Sequence, residues 1–388
     1  MLKDESKSDS LLALAAKGRR IKASESLILV EKLVEISLKS LESGAPLGAQ
    51  LEPHQLSHLF SLKPGPVAQR LFEGANQVRA KVFGSKVFLY GFIYLSTYCR
   101  NDCAFCHSRT SRKDIERYRL SLEPILNCAL ALKKGGVHLI DLTLGEDPSY
   151  IDQKGFENLC LIISRVKRET GLPVMLSAGV LDKQMLTRAR QAGVEWLALY
   201  QETYNRALFK LWRRGQDFDE RLESKLEALR LGFLVEEGFL VGCGEGLEDL
   251  AQAVLKISSF NFSQLRAMAY VPSPNGLPPS QGVDPIWRER LSLAVLRLLC
   301  PQALIAASLD VEGLAGLLPR LLSGANVVTS LIPSSMGLSG VASTSLDINN
   351  KRREPETVKH FLGQFGFQIA PILDYQKYLE KARKTIAT

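Results

Sequence analysis

The chain has 388 residues, enough for one large α/β barrel or two ordinary domains. With 46% hydrophobic and 23% charged residues it belongs with globular proteins, which excludes wholesale disorder. The net charge of +8 comes from Lys and Arg interspersed with Asp and Glu, not from a basic block, so a nucleic-acid partner is not expected. The opening "MLKDESKSDS" leads into no signal-like apolar run, and no stretch has the ~20 apolar residues of a membrane span. Seven cysteines, three bunched and four scattered, do not form a disulfide framework, so a reducing cytoplasm is the expected compartment.

Residues 1 to about 24 are polar. "SESLILVEKLVEISLKSLES" and "VAQRLFEGANQVRAKVFG" then repeat apolar residues at helical spacing, and this helical prelude ends near residue 83. After it come eight short apolar runs, at 87–96, 137–145, 173–180, 195–203, 236–244, 264–272, 303–310 and 325–333. Helical patterns such as "EPILNCALALKKGG" and "ERLESKLEALRLG" lie between most of them. Parallel neighbours need crossover connections, so the alternation predicts an α/β fold of (βα)8 TIM-barrel type, with an open doubly wound sheet as the alternative. The expected division is a helical extension over 1–84 and a barrel over 85–388. In either architecture the chemistry gathers at the C-terminal ends of the strands.

The first strand runs into "STYCRNDCAFCHSR", which puts Cys99, Cys103 and Cys106 within eight residues. Three thiolates can hold three corners of a cubane iron–sulfur cluster and leave the fourth iron open. A structural zinc ion with His107 as fourth ligand is the rival reading. Cys128, Cys160 and Cys300 fall in helical apolar patterns and Cys243 in a strand, where a thiol packs as a small hydrophobe.

Three other groups share inward faces at strand ends. Asp141 and Thr143 alternate along the second strand, Arg266 lies in the sixth, and Ser308 and Asp310 end the seventh. An Arg for a carboxylate and acids for ammonium groups would recognise an amino acid. Asp141 and Asp310 could instead cap the turns that follow them.

The C-x-x-x-C-x-x-C spacing, with Phe105 before the last cysteine, resembles the radical S-adenosylmethionine (SAM) superfamily. The resemblance implies a 4Fe–4S cluster on Cys99, Cys103 and Cys106 whose open iron binds SAM. It further implies SAM contacts from Gly145 and Glu146 in "LTLGEDP", from Ser177, from Glu202 in "LYQET" on the ribose, and from Tyr270. "LFKLWRRGQDFDER" supplies Arg213 and Arg214 for the SAM carboxylate, and the sequence leaves open which of them faces inward. In "GFLVGCGE", Gly238, Leu240 and Gly242 would shape the adenine side, and Glu245 reads as structural.

Over residues 85–350 the phrases "YLSTYCRNDCAFC", "DLTLGEDP", "LYQETYN" and "SLDVEGLAGLLPRLLSGANVVTSLIP" resemble the branch of biotin synthase, the hydrogenase maturase and methylornithine synthase, the last most of all. His107 departs from the aromatic residue that relatives often carry there. The resemblance implies an isomerase that turns L-lysine into 3-methyl-D-ornithine through a 5'-deoxyadenosyl radical, fed by an electron donor such as flavodoxin or ferredoxin. Asp141, Arg266, Ser308 and Asp310 would then bind lysine.

Overall fold

The structure is a computed structural model and describes residues 22–43, 51–333 and 351–387, so most of the polar opening lies outside the described residues. Three helices come first, α1 (Ala23–Ser43), α2 (Pro53–Phe60) and α3 (Pro66–Phe83). Pro53 and Pro66 stand in first turns, where a missing N–H costs no helical hydrogen bond. The chain then alternates through β1 (Lys86–Ser96), β2 (Asp102–Cys103), α4 (Leu122–Lys134), β3 (Leu139–Leu144), α5 (Pro148–Ile151), α6 (Gln153–Thr170), β4 (Val174–Ser177) and α7 (Lys183–Ala192). It continues with β5 (Val194–Ala198), α8 (Arg206–Trp212), β6 (Arg213–Arg214), α9 (Phe218–Arg230), β7 (Leu234–Val241), α10 (Leu247–Ser258), β8 (Gln264–Ala269) and α11 (Pro285–Leu299). The last part holds β9 (Leu304–Ser308), α12 (Leu317–Leu322), β10 (Val327–Leu331), α13 (Pro355–Gln364), β11 (Gln368–Ile369) and α14 (Ile372–Ala387).

The eight strands β1, β3, β4, β5, β7, β8, β9 and β10 pair in parallel in that order. β10 returns to β1, with Phe88 opposite Val327 and Leu89 opposite Val328, so the sheet closes and the open-sheet alternative falls. Each expected apolar run overlaps one of these strands, with β1, β5 and β7 starting one or two residues earlier than the run. Every residue of β7 is buried and all but the first of β1, as barrel strands covered on both faces require. Helix starts are fixed by Asp152, Asp182, Asp217 and Asp284, whose side chains accept the first free backbone N–H groups.

The prelude packs on the outside of the barrel, α2 on α10 and α3 on α11. At the N-terminal end of the barrel, α14 sends Tyr375 inward to meet Tyr90, hydroxyl to hydroxyl at 2.7 Å. Two details differ from the sequence reading. Cys243 lies just beyond β7, in the turn that Glu245 ties, and Cys300 caps α11 and does not lie inside it. Among the described residues no helix is long and apolar enough to cross a membrane.

Candidate active site

The three cysteines sit in the connection after β1, at the C-terminal mouth of the barrel, and all three are free thiols. The loop is held from two sides. Cys103 and Asp102 pair antiparallel with Arg213 and Arg214, and Ala104 N donates to Trp212 O at 2.7 Å. On the other side Leu277 N donates to Ala104 O, and Arg109 bridges Cys106 O (3.0 Å) and Ser273 Oγ (2.9 Å). Arg117 gathers the loop's carbonyls, donating to Ser108 O (2.9 Å), Arg109 O (2.7 Å), Arg112 O (3.1 Å) and Thr97 O. Sequence reasoning missed Arg117, because an Arg in the charged stretch "DIERYRL" carries no signal.

N–H groups surround the sulfurs. Gln216 Nε2 lies 2.9 Å and Arg213 Nη1 3.6 Å from Cys103 Sγ, and Asn101 N lies 3.4 Å from Cys99 Sγ. Burial pushes the Cys106 thiol up to about 12 and raises that of Cys99, and the neighbouring Cys103 adds to both, so thiolates here need a cationic partner. Among the described residues no three His, Cys, Asp or Glu side chains converge as a single metal ion demands. His107 turns its ring to Arg112, whose Nη1 is 2.7 Å from Nδ1. This donor set suits separate corners of a cluster better than one zinc ion.

Gly145 ends β3 against the loop, where a Cβ would come within 2.7 Å of Cys99 Cβ and 2.8 Å of Tyr98 O. The next residue, Glu146, is buried and already engaged by Arg100 Nη2 (2.9 Å) and Val180 N (3.2 Å). Glu202 stands beyond β5 with φ +69, a strained setting for a residue with a Cβ, and its backbone bridges Phe239 of β7. Its carboxylate accepts from Arg213 Nη2 at 3.0 Å, and burial raises its pKa against the pull of Arg213. The arginine ambiguity is thereby answered: Arg213 is buried, whereas Arg214 is exposed beside Asp102. Leu240, Tyr270 and Phe105 meet Trp212 and Cys243 in one apolar cluster beside the loop. Gly242 takes φ +92 in a turn tied by Glu245, which accepts from Gly242 N and Cys243 N.

Deeper in the barrel lies a set of charges. Ser177 points here and not to the cysteine loop, donating to Asp141 Oδ1 at 2.9 Å. Arg266 Nε donates to Glu236 Oε1 (2.9 Å) and Nη1 to Thr329 Oγ1 (3.2 Å), while buried Nη2 has no hydrogen-bond partner among the described residues. At Gly238 a Cβ would stand 3.1 Å from both Tyr200 Cδ1 and Arg266 Cβ, and the Gly238 carbonyl accepts from Glu202 N at 3.1 Å. Asp310 accepts from Ser308 (2.9 Å), Ser330 (2.6 Å) and Arg353 (2.7 Å). Thr329, which Arg266 reaches, stands opposite Ser308 in the β10–β9 pairing, so the two halves of the set are neighbours, and buried Tyr94 lies in the field of both. Sequence reasoning missed Tyr94, Tyr200, Glu236 and Arg353. Glu236 lies inside β7 with no spacing or motif to mark it, and Arg353 arrives from beyond the last barrel strand.

Comparison with known proteins agrees with this geometry. Residues 93–257 match the Radical SAM superfamily. The chain is 39% identical to the 3-methylornithine synthase of Methanosarcina acetivorans over 86% of this chain and 94% of that one. It is 38% identical to that of Methanosarcina barkeri over 90% and 99%. A crystal structure of methylornithine synthase (PylB) superposes with a TM-score of 0.80 at 36% identity, covering 90% of this chain and 99% of the other. With the cysteine loop at the mouth of a closed barrel and this likeness along nearly the whole length of its relatives, the chain belongs to the radical SAM superfamily and, within it, to the 3-methylornithine synthase family.

Proposed function

We propose that this protein converts L-lysine into 3-methyl-D-ornithine, the precursor step of pyrrolysine formation, with a 4Fe–4S cluster and SAM as cofactors. When bound, these cofactors supply a 5'-deoxyadenosyl radical that takes a hydrogen atom from the lysine side chain. Cys99, Cys103 and Cys106 would hold the cluster. Glu202, fixed by Arg213, would receive the ribose, Phe105, Leu240 and Tyr270 would face the adenine, and Gly145 would let the chain approach without a side chain in the way.

The carrying observation is the charge balance of the barrel interior. Among the described residues of the interior, Asp141, Glu236 and Asp310 oppose Arg266 and Arg353, an excess of one acid when all five are ionised. Lysine brings one carboxylate and two ammonium groups, hence one positive charge. Arg266 Nη2 is the donor left for the carboxylate, and Asp141 and Asp310 are the acceptors for ammonium. The closed far end keeps water from reactive fragments and holds them together. In this reading residues 1–84 are an extension to the barrel, the reductant is a small electron-transfer protein such as flavodoxin or ferredoxin, and the compartment is the cytoplasm.

The test is anaerobic incubation of reconstituted protein with SAM, dithionite and lysine, followed by mass and chiral analysis of the amino acids. Conversion to an isomer that co-elutes with 3-methyl-D-ornithine is expected. SAM cleavage that lysine leaves unchanged, with no isomer formed, would overturn the substrate assignment but leave the superfamily untouched.

A further inference from the structure

Gln216 lies in the turn between β6 and α9, half-buried against the cysteine loop. Its Nε2 is 2.9 Å from Cys103 Sγ. The orientation of the amide is fixed by its other end, because Oε1 receives Arg221 Nη1 at 3.3 Å and Arg213 Nη1 at 3.5 Å. A guanidinium only donates, so Oε1 must face the arginines and the NH2 group must face the sulfur. The two arginines are anchored in turn, since Arg213 Nη2 and Arg221 Nε both donate to Tyr200 O, at 2.9 and 2.7 Å. Gln216 N also closes the turn onto Arg213 O at 3.1 Å. The side chain is therefore held in place by groups other than the thiol it touches.

We propose that Gln216 is a positioning residue that sets the reduction potential of the cluster through its hydrogen bond to Cys103 Sγ. This rests on the reading of Cys99, Cys103 and Cys106 as cluster ligands. Reduction moves one electron from the reductant to the cluster and increases the negative charge shared by its thiolates. An N–H aimed at a ligating sulfur stabilises the more negative state, so it raises the potential. Without it a given reductant leaves less of the cluster reduced.

The test is a potentiometric titration of the reconstituted protein with dithionite, following the EPR signal of the reduced cluster, in wild type, Gln216→Leu and Gln216→Glu. Leu keeps the bulk without a donor, and Glu places a carboxylate oxygen where the donor stood. The expected result is normal iron content and an about tenfold lower ratio of reduced to oxidised cluster at fixed potential in Gln216→Leu, about 59 mV for a one-electron couple. A larger drop is expected in Gln216→Glu. Full iron content with an unchanged midpoint in both variants overturns the proposal. Loss of iron from both also overturns it, because Gln216 then holds the loop and does not tune the cluster. A wild-type protein that takes up no cluster defeats the cofactor reading itself, which separates the two failures.

Discussion

Burial pushes the Asp141 carboxyl up to about 7, and the nearby charge of Glu236 adds to it, while Ser177 and Arg266 pull it down. Two consequences follow from the sign. Between about 4, the ordinary carboxyl value, and about 7 the folded protein keeps a proton that the unfolded chain gives up, so stability falls as pH rises through that window and levels off above it. Lysine needs the ionised form for its ammonium, so its affinity should rise with pH, approaching about tenfold per unit below 7. Asp141→Asn should flatten both curves, melt at a higher temperature than wild type at pH 8, and bind lysine more weakly there. Melting curves and equilibrium binding from pH 5 to 8 check this, and an unchanged lysine profile in Asp141→Asn would remove Asp141 from the site. At Glu202 the expectation concerns SAM. Glu202→Gln keeps the shape but weakens the pair with Arg213 and the acceptance of two ribose hydroxyls. SAM affinity measured by equilibrium dialysis should fall about tenfold with iron content unchanged; equal affinity would return Glu202 to a purely structural part.

Between β7 and α9 a buried pair supports the strand end that carries Glu202. Lys225 Nζ reaches Glu237 Oε2 and, at 2.7 Å, Gln201 Oε1, while Glu237 Oε1 accepts Gln201 N and Gly238 N, each at 2.7 Å. Burial pulls Lys225 down to about 8 against the opposing charge of Glu237. Removing one partner leaves the other charge buried and unpaired, so Lys225→Met should cost about 3–5 kcal/mol. It should also weaken SAM binding by loosening the turn at Gln201 and Glu202. Adding Glu237→Gln should restore part of the stability; a double variant that melts no higher than Lys225→Met would show that the pair is not what matters. The elements that sequence made legible are those with a period or a spacing. The strands are continuous apolar runs between helical stretches, and Cys99, Cys103 and Cys106 are identified by their distances along the chain. The β2–β6 ribbon was not legible, because two-residue strands have no period. Nor were the contacts of Arg117, Glu236 and Gln216, whose partners lie on other elements and leave no local pattern. Arg266 and Asp310 could be placed on inward faces by alternation, but their pairing with Glu236 and Arg353 depends on closure of the barrel.

For the molecule as a whole, closure matters at both ends. The C-terminal mouth carries the cysteine loop and the charges, so the opposite end must exclude water without taking part in the chemistry. That end is closed by α14, which brings Tyr375 against Tyr90, Phe88 and His138, with ring centroids 5.3–5.8 Å apart. His138 is fixed there by Leu89 N at 3.0 Å and Ala370 O at 2.8 Å, and burial lowers its pKa, so the plug is uncharged at neutral pH. Tyr375→Ala should cost about 3–5 kcal/mol for the lost ring and cavity, seen as a lower melting temperature. It should also open a route for water to the interior. Radical fragments would then be quenched before they recombine, and the amount of 5'-deoxyadenosine formed per methylornithine should rise while iron content stays at the wild-type level. Tyr375→Phe keeps the ring and loses only the hydroxyl pair, so it should cost about 1 kcal/mol and leave that ratio unchanged. If Tyr375→Ala melts earlier yet shows the wild-type ratio, the plug contributes packing alone, and exclusion of water must come from the mouth of the barrel.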